Sequence, residues 1–99
     1  MGSINDMVWL KNKLKKEVKK YFKEKYPTYT FTKLDVSEND VMVFVRVRFE
    51  DQSGRKWQLD RVFGRSMLYA SKIQPYEIIF DRIRMGLDSN LKGRQQSWQ

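Results

Sequence analysis

Residues 41–64 read VMVFVRVRFEDQSGRKWQLDRVFG, and polarity alternates there residue by residue. Val41, Val43, Val45, Val47 and Phe49 interleave with Met42, Phe44, Arg46, Arg48 and Glu50. A period of two belongs to a strand with one buried face and one wetter face. Trp57, Leu59 and Phe63 resume the alternation after the turn-forming letters DQSGR, so the stretch predicts a β-hairpin. Pairing Phe49 with Trp57 also sets Val47 against Leu59 and Val43 against Phe63 on one side. On the other side the same register joins Glu50 to Lys56, Arg46 to Asp60 and Phe44 to Val62. Each such pair is worth ~0.2–1 kcal/mol, and a slip by one residue sets valines against charges. Arg61 breaks the pattern. It falls opposite Val45 on the apolar side, which requires an edge position or a partner.

The flanks read as helices. Ser3-Ile4-Asn5-Asp6 has capping-box spacing, with Asp in place of Glu or Gln. Met7, Leu10, Leu14, Val18 and Tyr21/Phe22 then form one apolar stripe ending before Pro27. Residues 11–25 hold eight lysines against two glutamates, 8 − 2 = +6. Residues 28–36 are β-prone, and Ser37-Glu38-Asn39-Asp40 reads as the turn into the hairpin. Pairing Val36 with Val41 keeps Leu34 and Val36 with the valines. It leaves Tyr29 beside Arg48 and Phe31 beside Arg46 on the wet face; a slip by one sends both aromatics inward instead. The first register is the expectation. Residues 65–74 form a connector with room for a helical turn. Pro75 opens a last helix striped by Tyr76, Ile79, Phe80, Ile83, Leu87 and Leu91, with Gly93 as its cap.

The expected fold is therefore a single α+β domain over residues 1–93, with a frayed tail at 94–99. Its order is α-β-β-β-α: a three-stranded antiparallel sheet with two helices packed on one face. This order resembles that of double-stranded-RNA-binding domains over most of the chain. Those domains carry a lysine cluster at the start of the last helix, where this chain has Gln74-Pro75-Tyr76-Glu77. The resemblance therefore lends topology and no residue roles.

Composition narrows the function. The 99 residues contain no cysteine and no histidine, which removes thiolate chemistry and the commonest general base and metal ligand. Glu77 and Asp81 could face one magnesium ion, but they lack a third ligand and a glycine-rich phosphate loop. No catalytic, cofactor or metal residues are expected, and the chain reads as a non-enzyme. No apolar run approaches membrane-spanning length and no signal-peptide core follows Met1, so a cytoplasmic protein is the expectation. The net charge of +8 favours an anionic partner.

Three surfaces are candidates for that partner, each beside a plainer reading. On a helical wheel Lys13, Lys16, Lys20 and Lys23 lie opposite the first stripe, with Trp9 one turn earlier. They could track phosphates while the indole stacks on a base, or form a solvated face with Trp9 folded over the core. The open sheet face would offer Tyr29, Phe31, Lys33, Phe44, Arg46 and Arg48, with Arg55 and Lys56 at the hairpin loop. Its plainer reading buries the aromatics and pairs the arginines with Asp60 and Glu50. Ile78 and Met85 lie off the second stripe, as a homodimer interface or a grip on a target protein, or else covered by Met67-Leu68-Tyr69 of the connector. Together these make a nucleic-acid-binding module of unspecified type the leading expectation. An inhibitor or adaptor docking on an acidic protein surface is the alternative, and membrane binding is not expected.

Overall fold

The computed structural model describes residues 4–92. Helix α1 spans Ile4–Lys25, followed by strands β1 (Thr30–Glu38), β2 (Met42–Glu50) and β3 (Lys56–Gly64). A short helix α2 (Arg65–Ala70) occupies the connector and leads to α3 (Pro75–Leu87), whose last turn widens into a π-helical turn over Asp88–Lys92. The strands form an antiparallel sheet in the order β1-β2-β3. The α+β arrangement expected from the sequence is thus present, with α2 as an addition. The Ser3 cap, the Gly93 cap and the 94–99 tail lie outside the described residues.

The β2–β3 hairpin has the expected register at every pair: Val43–Phe63, Phe44–Val62, Arg46–Asp60, Val47–Leu59, Phe49–Trp57 and Glu50–Lys56. Its loop is organised by Asp51. That carboxylate accepts from Ser53 Oγ (2.6 Å), Ser53 N (2.9 Å), Arg55 N (3.0 Å) and Trp57 Nε1 (3.1 Å). The serine hydroxyl and the indole N–H hold the Asp51 carboxyl down to about 2. Gly54 takes φ +85°, a left-handed conformation that favours glycine.

The β1–β2 register differs from the expectation. Val36 lies opposite Val45 rather than Val41, and Leu34 opposite Val47. Between Phe31 and Lys33 the pairing shifts, so that Phe31 faces Phe49 while Lys33 faces Arg48. Thr32 is the extra residue of a β-bulge. The bulge reverses the side-chain parity of everything before it. Leu34 and Val36 point to the core, and so do Tyr29 and Phe31, which pack partly buried against it. Phe31 lies 6.2 Å from Phe22, and Tyr29 lies 5.9 Å from Phe49. Placing Tyr29 and Phe31 on the wet face is therefore corrected. A few ladder hydrogen bonds at ~0.5–1.5 kcal/mol each weigh less than two aromatic rings kept from water.

The core lies between the sheet and the two long helices. Leu10, Leu14, Val18 and Phe22 of α1 and Ile79, Ile83 and Leu87 of α3 meet Leu34, Val43, Val45, Val47 and Phe49, all at most 4% exposed. Arg61 sits on the edge strand, and its guanidinium crosses α3 at Gly86. A Cβ added there would lie 3.0 Å from Arg61 Cζ and 3.1 Å from Leu59 Cδ1. No helix of the described residues is long and apolar enough to cross a membrane.

Deleting Thr32 should rotate Tyr29 and Phe31 out of the core and cost ~1.5–3 kcal/mol, from two half-buried rings at ~1.5–3 kcal/mol each when fully buried. Thr32→Ala keeps the bulge and should stay within ~0.5 kcal/mol of the parent. Urea titration of both variants separates the bulge itself from the side chain.

Candidate binding surfaces

Helix α1 buries a stripe at four-residue steps, Leu10-Leu14-Val18-Phe22. The opposite arc is exposed and carries Asn12, Lys15, Lys16, Lys19, Lys20, Lys23 and Glu24. Among the described residues, no carboxylate lies within ion-pair distance of Lys15, Lys16, Lys19, Lys20 or Lys23. Lys13 behaves differently. Its ammonium lies 3.9 Å from Glu17 and 5.1 Å from the centre of the Tyr76 ring, so it belongs to the seam between α1 and α3. Lys15 and Lys19 belong to the exposed row and escaped the sequence reading. A helical wheel does not find them: Lys15 lies nearer the buried stripe than Lys13 does, and what packs beside the helix decides which of the two is exposed.

Two tethers hold this row in place. At one end Trp9, 54% exposed, meets Tyr76 edge to face at 5.8 Å. At the other, Tyr21 and Tyr26 both donate their hydroxyls to Asp88 Oδ1 at 2.6 Å. Tyr76 begins α3 and Asp88 follows it, so α1 and α3 run parallel. Burial would raise the Asp88 carboxyl, but the two hydroxyls and Arg84, 3.9 Å away, outweigh it and hold it below the usual range. Burial and the bond to Asp88 push Tyr21 up to about 12, and the same causes raise Tyr26. No sequence motif announces this cluster. Its members lie 62 and 67 residues apart.

The outer sheet face points the opposite way from the lysine row. It presents Lys33, Arg46, Arg48 and Lys56 against Asp35, Glu50 and Asp60, four cations to three carboxylates. Arg46 Nε bonds Asp60 Oδ1 at 2.9 Å, and Lys33 lies 3.8 Å from Asp35. Arg48 and Lys56 are exposed, while Arg55 rests over the Trp57 ring at 4.6 Å. The face is nearly charge-balanced. Its apolar corner joins Phe44 and Val62, cross-strand neighbours, to Met42 opposite Gly64. Met67 extends that corner, its Sδ 4.0 Å from where a Gly64 Cβ would stand.

The anticipated site residues therefore divide into two surfaces. Lys16, Lys20 and Lys23 lie on α1, whereas Arg46, Arg48, Arg55 and Lys56 lie on the sheet and its loop. Of the carboxylates Glu77 and Asp81 on α3, Asp81 is used internally, since it pairs with Arg84. Ile78 is half-buried against the core and Met85 is 52% exposed, so Met85 supplies most of that pair's open surface. Among the described residues no three histidine, cysteine, aspartate or glutamate side chains come together as a metal-binding group. Comparison with family models, curated proteins and solved structures gives no match to this chain.

The Asp88 cluster has a pH signature. A carboxyl depressed by its partners contributes stability that is full above the ordinary carboxylate pKa of about 4 and is lost as pH falls through the folded value. Tyr21, raised instead, contributes stability that is full below about 10 and lost as pH rises towards about 12. Asp88→Ala should cost about 2–3 kcal/mol, since charged hydrogen bonds are worth ~1.5–3 kcal/mol and the carboxylate is one-third open to water. Asp88→Asn should flatten the acid limb of a melting-temperature profile below about pH 4. An unchanged limb places the acid sensitivity elsewhere.

Proposed function

We propose that the chain is a small non-catalytic nucleic-acid-binding module that grips phosphates with the solvent face of α1. A cytoplasmic setting goes with this reading. The observation that carries it is the row Lys15, Lys16, Lys19, Lys20 and Lys23, exposed and without carboxylate partners among the described residues. Ammonium groups on flexible stems act as point charges and suit phosphate oxygens without reading base edges. The expected mode is electrostatic and indifferent to sequence. Helix α1 is held at both ends, so ordering the backbone on binding costs little. The sheet's arginines contribute less, because Arg46 is committed to Asp60 and Arg55 to Trp57.

A second reading has its own support. Val8 and Trp9, 50% and 54% exposed, lie at the end of the lysine row. An apolar patch with an indole beside ammonium groups fits docking on an acidic surface of a larger protein, as an inhibitor or adaptor. Free nucleic acid separates the two readings.

Lys16→Glu with Lys20→Glu should leave the fold within ~0.5 kcal/mol of the parent. It should sharply reduce binding to generic duplex or single-stranded nucleic acid, read by fluorescence anisotropy. The parent's log affinity should fall with log salt at about −0.9 per phosphate neutralised on duplex DNA, or about −0.7 on single strands, and the variant's slope should be shallower by about two contacts. A parent chain that binds no duplex and no single strand at ~50 mM salt, where such contacts are strong, overturns the phosphate reading. The lysine row then belongs to an acidic protein surface.

A further inference from the structure

We infer that a second copy of this chain docks on the outer sheet face, apolar corner to apolar corner, around Phe44 and Val62. Phe44, Val62 and Met67, three of the large apolar side chains left in water, lie there. Phe44 is 39% exposed and Val62 53%, directly opposite each other across β2 and β3. Met67 lies against Gly64, and the Val41 carbonyl accepts from Arg65 N at 2.8 Å, which draws the start of α2 to the same end of the sheet. Neither α1 nor α3 covers this side, since both pack on the valine face.

Charge selects the occupant. A chain of net charge +8 repels its own copies, and the exposed row Lys15, Lys16, Lys19, Lys20 and Lys23 forbids contact through α1. The outer sheet face is nearly neutral, with four cations to three carboxylates, and beside the corner Arg46 and Asp60 form a closed ion pair. It carries both signs in equal measure at the corner, as a two-fold interface requires, because each residue meets its counterpart's neighbour and the reverse. The Arg46–Asp60 pair of one copy can then face the Asp60–Arg46 pair of the other with signs alternating. A polyanion has no reason to prefer this corner, which offers it no excess of cations.

Size sets the strength. Three strands at ~4.8 Å spacing and nine residues at ~3.3 Å give the whole outer face roughly 430 Å² per copy, the most that a contact centred on the corner can use. That lies below the roughly 800 Å² per partner of a standard interface, so the association is weak and reversible. In the dimer the two lysine rows face outward on opposite sides.

Sedimentation equilibrium of the full chain, from about 10 µM to about 0.5 mM, covers the range expected for an interface this small. The mean mass should rise above the monomer value with concentration. Adding salt should strengthen the association, because it screens the +8 repulsion while leaving apolar contact in place. Phe44→Ser with Val62→Ser should weaken it at least about tenfold, a loss of about 1.4 kcal/mol, with circular dichroism unchanged. Met85→Lys should associate as the parent does. Because the chain has no cysteine, Val62→Cys gives a further readout: oxidation should yield a covalent dimer, and Lys20→Cys should not. A parent that stays monomeric at about 0.5 mM overturns the inference and leaves the corner to a partner of another sequence. Association that weakens with salt, or that Met85→Lys abolishes, overturns it as well.

Discussion

Val43, Val45, Val47 and Phe49 point from the central strand into the space closed by α1 and α3, and none is more than 4% exposed. Burial of such side chains is worth ~1.5–3 kcal/mol each, several times the ~0.2–1 kcal/mol of a cross-strand surface pair. One face of β2 therefore decides where everything else goes. Both neighbouring strands take the register that extends this face, and both long helices close over it. The opposite face is left without a layer. A sheet covered on one side only must show water whatever its outward residues are, and here those are charged pairs and a few apolar side chains.

The helices have unequal roles on that face. Helix α3 is used on several sides: it covers β3, makes room for Arg61 at Gly86, and at its end receives Tyr21 of α1 and Tyr26 just beyond α1 through Asp88. Helix α1 buries one stripe, Leu10, Leu14, Val18 and Phe22, and meets α3 along one flank through Trp9, Lys13 and Tyr21. Its remaining arc has no part in holding the fold together, which is why so many lysines can stand there unpaired.

The β2–β3 hairpin was legible in the sequence because both of its faces constrain the same register. Moving Phe49 away from Trp57 also moves Arg46 away from Asp60. Strand β1 was not legible to the same depth. Leu34 and Val36 have one parity and Tyr29 and Phe31 the other, so no regular strand buries all four. A bulge at Thr32 satisfies both sets, and no letter of the sequence marks it. On α1 the charged row was legible as a row but not to the residue, with Lys13 lost to Tyr76 and Glu17 while Lys15 and Lys19 join. Gly86 had a readable sign, since a glycine inside a helix costs ~1 kcal/mol against alanine and implies something close by. Which side chain came close was a matter of tertiary geometry. The Asp88 cluster depends wholly on two distant segments meeting.

The parallel course of α1 and α3 has an electrical consequence. Each helix carries about half a positive charge at its start and half a negative charge at its end, and side by side these add rather than cancel. The molecule would have an axis, positive at the Trp9–Tyr76 end and negative where Tyr26 meets Asp88. The unpaired lysines run from Lys15 to Lys23, over the negative half of that axis. They offset it, so the potential along α1 is spread lengthwise instead of heaped at the helix starts. An anionic body approaching from that side meets a line of attraction, and its easiest orientation is alongside the helix rather than end-on.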